Sequence, residues 1–135
     1  MKLGFREIDA FVNRPNPAAR VCLVYGPDQG LVRERAKKIA QSAVPDLTDP
    51  FNVVTLTATQ LIDDPARLAD EAFAQSLMGG NRLLIVKDAS DGITPLFKDY
   101  LKAPSQHCLI VLEAGRGDSD DVVDLICGEM LRAGT

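Results

Sequence analysis

The sequence has no tryptophan, a single histidine and only 5% aromatic residues. His107 stands alone, the three cysteines (Cys22, Cys108, Cys127) are far apart, and no C-x-x-C spacing occurs. A zinc site therefore lacks its ligand set, and no metal is expected. Cys22 and Cys108 fall inside apolar runs and read as buried free thiols. Excess positive charge is missing as well. A net charge of −4 gives no overall attraction to phosphates, which disfavours DNA binding by this chain alone. No apolar run approaches the roughly 20 residues of a membrane span. The start, "MKLGFREIDAFV", carries charges among its apolar residues and does not read as a secretory segment. The expected location is the cytoplasm, without membrane partners.

What is present is a globular composition, 46% hydrophobic and 25% charged over 135 residues, enough for one domain with its own core. Residues 21–25, 51–56, 83–86 and 108–112 read as strands; 21–25 is a continuous apolar run, as expected of a parallel strand covered on both faces, and 51–56 is β-branched. Helical periods lie between them. Phe5, Ile8 and Val12 open the chain as a short helix that "RPNP" ends. Val32, Ala36, Ile39, Ala40 and Ala43 make the apolar stripe of a second helix, whose outer face carries Arg33, Arg35, Lys37 and Lys38. Asp64 as N-cap with Pro65 behind it begins a helix burying Leu68, Ala69, Ala72 and Phe73, which "MGGN" stops. Thr94 and Pro95 repeat that cap before Leu96, Phe97, Tyr100 and Leu101. A last helix is expected from about residue 120 to 130. Alternation of this kind predicts parallel pairing and a three-layer α/β domain. The expected sheet has four strands with residues 21–25 at an edge, because Val122, Val123, Ile126 and Met130 follow a helical period and not that of a fifth strand.

The most specific motif is incomplete. "VCLVYGPDQGLVRERAKKIA" runs from a strand through Gly26 and Gly30 into a helix, the outline of a phosphate-binding loop. That motif, G-x-x-x-x-G-K-[ST], needs glycine, lysine and a hydroxyl at positions 31, 32 and 33. Leu31, Val32 and Arg33 stand there, so both charge compensation and the magnesium ligand are lost. Gly26 and Gly30 keep a structural use in a tight strand-to-helix turn. Asp88, after the apolar run at 83–86, reads as a loop or cap residue, and His107 as an exposed or locally bonded one. No catalytic residues and no cofactor are expected. The stretch "AFAQSLMGGNR" is unusual for a connection, because Leu77 and Met78 stand where surface turns are normally polar. The pair either folds under onto the core or projects as a hydrophobic anchor.

With "VYGPDQGLVRERA", "DDPARLADEAFAQSLMGGNR" and "LLIVKDA" in this order, the chain resembles the N-terminal domain of the delta subunit of bacterial DNA polymerase III, from about residue 8 to 115. The resemblance implies an AAA+-like, P-loop NTPase-like domain with a degenerate nucleotide site (Gly26, Gly30, Val32, Arg33) that leaves catalysis to other clamp-loader subunits. It further implies that a hydrophobic pair at the exit of the helix before the third strand enters a pocket on the sliding clamp, the beta subunit. Here that pair is Leu77 and Met78, beside Ser76, and many relatives carry an aromatic residue where Met78 stands. The implied role is to bind and help open the clamp during DNA replication, with DNA reached only through the complex. After "VLEAG" the pattern changes. Residues 1–115 form the expected clamp-binding domain, and 116–135 a divergent tail without the lid and collar domains. Other clamp-loader subunits would join only if the collar were supplied. Two other readings remain open on the residues: a nucleotide-dependent enzyme with an atypical loop, and an inactive truncated fragment.

Overall fold

The buried apolar runs form the sheet. In a computed structural model, which describes residues 10–14, 20–26, 28–74 and 80–115, the strands are β1 (Val21–Gly26), β2 (Val53–Thr57), β3 (Arg82–Lys87) and β4 (Cys108–Gly115). All pairs are parallel and the order is β1-β4-β3-β2. Register is fixed by Val21 opposite Ile110, Leu84 opposite Ile110, and Val54 opposite Leu84. As expected, β1 lies at an edge, and among the described residues no strand pairs its outer side.

Successive side chains alternate between the two faces, so each strand feeds two cores. On one face Val21, Leu56, Leu84, Val86, Ile110 and Leu112 are packed under the short helices. These are α2 (Ala58–Asp63), α3 (Ala66–Ala72) and α4 (Thr94–Tyr100), which supply Leu61, Leu68 and Phe97. On the other face Cys22, Leu83 and Val111 meet α1 (Gln29–Ala43) through Ala36, Ile39 and Ala40. A helical segment at residues 10–13 adds Val12 to this side. The three layers are those predicted. No described helix is long and apolar enough to cross a membrane.

Several boundaries differ from the sequence reading. Phe51 does not begin β2. Its N–H donates to Asp49 Oδ1 at 2.9 Å, which turns the chain there and leaves the ring 65% exposed. Helix α2 was not anticipated. Thr57 Oγ1 accepts the Gln60 N–H at 3.2 Å while Gln60 Oε1 accepts the Thr57 N–H at 2.8 Å, a capping box that starts α2 directly at the end of β2. Asp64 consequently closes α2 and does not cap α3, which begins after Pro65 without a side-chain cap. A 3₁₀ turn (Asp91–Ile93) runs straight into α4, so Thr94 is its first helical residue and not its cap. Helix α3 ends at Ala72, ahead of "MGGN", with Ala69 and Phe73 exposed. Phe5, Ile8, Cys127 and the tail at 116–135 lie outside the described residues.

Candidate functional site

The strand-to-helix turn after β1 is where a phosphate would sit. Gly26 ends β1 with φ at +156°, a conformation that side chains rarely adopt, so this position needs glycine although space exists around it. Asp28 then caps α1. Its Oδ1 accepts the Leu31 N–H at 3.1 Å, and its carbonyl accepts the Val32 N–H at 3.0 Å. Gln29 Nε2 donates back to the Gly26 carbonyl at 3.2 Å. A Cβ on Gly30 would lie 3.4 Å from Asp28 Oδ1, an ordinary contact, so the second glycine is not sterically required there.

A helix N-terminus attracts anions through its free N–H groups and dipole. Here the Asp28 carboxylate caps that terminus and accepts one of its N–H groups. Val32, where the motif has lysine, is only 4% exposed, and Arg33 is exposed on α1. A phosphate brought to this turn would meet Asp28 with no lysine to offset it. Two like charges about 4 Å apart repel by about 4 kcal/mol at an effective dielectric of about 20.

The remaining candidates have structural explanations. Asp88 is exposed past the end of β3 at φ 55°, a left-handed position that aspartate tolerates. The next residue, Ala89, donates its N–H to the Glu113 carbonyl at 2.9 Å, tying β3 to β4. His107 is exposed and acts through its backbone. Its N–H donates to Ser105 Oγ at 3.2 Å and its carbonyl accepts the Arg82 N–H at 2.8 Å. Burial pushes the Cys22 thiol up to about 12 and the Cys108 thiol to about 11, as expected of thiols without a nucleophilic role. Among the described residues no three His, Cys, Asp or Glu side chains converge on a metal position.

Ser76, Leu77 and Met78 lie outside the described residues, but both ends of their segment are described. Glu71 on α3 and Arg82 at the start of β3 pair at 2.9 Å, and Arg82 Nη1 also donates to the Phe51 carbonyl at 3.1 Å. This joint closes the eleven-residue interval at its base. Arg82 is 9% exposed. At the exit of α3, Phe73 is 54% exposed with its ring 6.0 Å from that of Tyr100. Tyr100 is held in turn, its hydroxyl accepting the Ser105 N–H at 3.1 Å. Sequence reasoning missed the Glu71–Arg82 joint. Its only signal was a cation opening a strand that is apolar up to Lys87, with an acid eleven residues earlier.

Comparison with known proteins agrees with this geometry. The fold is similar to that of the DNA clamp loader delta protein of Bacillus subtilis (YqeN), with a TM-score of 0.68 and 21% identity, over 95% of this chain and 40% of that one. It is also similar to a DNA polymerase III gamma subunit-related protein from Thermotoga maritima, with a TM-score of 0.63 and 16% identity, over 92% of this chain and 43% of that one. The chain thus has the AAA+-like fold of clamp-loader proteins and spans about two fifths of the length of each of these two. No curated protein sequence matches it. The sequence profile for the delta subunit of DNA polymerase III matches residues 22–126, and the chain belongs to that family.

Proposed function

We propose that this chain is a clamp-binding, clamp-opening module that engages a sliding clamp through Ser76, Leu77 and Met78 and performs no ATP hydrolysis of its own. The observation that supports the second half is the α1 N-terminus, capped by the Asp28 carboxylate, with buried Val32 where the motif has lysine. Support for the first half comes from family membership and from the Glu71–Arg82 joint, which fixes both ends of the segment carrying the pair. A segment so anchored loses less freedom on binding than a loose one. Leu77 and Met78 together would contribute about 3–5 kcal/mol if buried in a partner's pocket. A module of this kind opens a ring without chemistry by binding its open form more tightly than its closed form, since only differential affinity moves the equilibrium.

The direct test is calorimetric titration with the sliding clamp of the same source, with and without magnesium-ATP. Equal clamp affinity in both, and no heat on titrating ATP alone, is the expected result. An affinity that depends on nucleotide, or micromolar ATP binding, would replace the proposal with a nucleotide-driven one.

A further inference from the structure

Single exposed apolar side chains are common and by themselves mark nothing. Phe73 differs in being held. It closes α3, its N–H donating to the Ala69 carbonyl at 2.9 Å, and more than half of it is exposed. Its ring rests against Tyr100 at 6.0 Å with the planes 57° apart, and the Tyr100 ring meets that of Phe97 edge-on at 6.2 Å and 71°. Phe97 is fully buried in the core under the short helices, and the Tyr100 hydroxyl accepts the Ser105 N–H at 3.1 Å. A line of rings thus runs from the surface into the core. The outermost ring is large, apolar and already ordered, so covering it costs little side-chain entropy.

Its place in the chain says what covers it. Helix α3 ends on the side where the strands begin, and Glu71, two residues before Phe73, pairs with Arg82, the first residue of β3. The capped turn at Asp28 is at the opposite end of the sheet, after β1. Leu77 follows Phe73 by four residues, so their Cα atoms are at most about 14 Å apart. A contact of ordinary size covers about 800 Å² on each partner, a disc of about 16 Å radius. One centred on Leu77 and Met78 therefore takes in the place where Phe73 stands. We propose that Phe73 is a third apolar anchor of the clamp contact, its outer ring face covered by the sliding clamp when Leu77 and Met78 engage it. This assignment rests on the clamp-binding reading of that pair.

The test uses the full chain and the sliding clamp of the same source. Phe73→Ala should weaken clamp affinity by about tenfold or more in calorimetric titration, as truncation of an interface anchor does. Ile62 on α2 is the control. It is 46% exposed and lies beside Gly92, past the far end of β3, so Ile62→Ala should leave the affinity unchanged. Direct contact is read separately, so that a loss of fold is not mistaken for a loss of contact. Phe73→benzoylphenylalanine should cross-link to the clamp on irradiation, and Ile62→benzoylphenylalanine should not. An unchanged affinity in Phe73→Ala, no cross-link from position 73, or equal cross-linking from both positions overturns the proposal. If Leu77→Ala with Met78→Ala abolishes binding while Phe73→Ala does not alter it, only the third anchor falls. If neither variant alters it, or the parent chain does not bind, the clamp-binding reading falls with it.

Discussion

Asp28 decides the character of the strand-to-helix turn, because one carboxylate both caps α1 and sets a negative charge at its N-terminus. Asp28→Ala should cost about 1 kcal/mol of stability in urea unfolding, the usual worth of such a cap. It should create no ATP affinity, since Val32 and Arg33 still supply neither a phosphate-facing lysine nor a magnesium ligand. Micromolar ATP binding by this variant would mean that Asp28 alone blocks the site. The two described thiols make a second prediction. Burial holds Cys22 near 12 and Cys108 near 11, above their ordinary value near 9, and Tyr100 is pushed up to about 12, chiefly by burial, from near 10. These groups favour the protonated form in the fold. Their contribution is therefore intact below pH about 9 and is lost as pH rises toward 11–12. Alkaline unfolding should begin above pH 9, and Cys22→Ser with Cys108→Ser should flatten that limb while lowering stability at pH 7. An alkaline limb unchanged in the double variant would contradict the assignment.

Among the elements, the strands were legible as short runs rich in apolar and β-branched residues, with their ends moved by up to three residues. The helix stripe Val32, Ala36, Ile39 and Ala40 was equally plain. What escaped were elements joined without a turn. Helix α2 follows β2 with no break, and its signal was the spacing Thr57–Gln60, hidden inside what reads as the end of a strand. The 3₁₀ turn before α4 hid in the same way, and it leaves Thr94 Oγ1 buried without a hydrogen bond among the described residues. At the site, the missing lysine was readable, whereas the Asp28 carboxylate capping α1 is a matter of side-chain geometry. The Glu71–Arg82 joint is a tertiary contact, invisible to local pattern. Glu71→Gln should cost about 1–3 kcal/mol, less than a fully buried pair because Glu71 keeps a quarter of its exposure. Lys102→Ala, which removes an exposed partner of Asp99, should change stability by about 0.5 kcal/mol or less. Thermal unfolding of the two variants side by side checks the contrast, and equal losses would refute it.

For the molecule as a whole, the sheet and its two cores make a scaffold of the delta-subunit family, in which an ion pair joins residues on either side of the interval that carries Leu77 and Met78. On the proposed reading the chain works by binding alone. If Leu77 and Met78 are anchors presented to a partner, they belong to an interface and not to either core, so truncating them should separate affinity from stability. Leu77→Ala with Met78→Ala, titrated against the sliding clamp and melted in parallel, measures both. The expected result is a clamp affinity weakened by about 100-fold or more, equivalent to about 3 kcal/mol, with a melting temperature within a few degrees of the parent. An unchanged affinity together with a large drop in melting temperature would make the pair ordinary core packing and remove the clamp-binding role assigned to it.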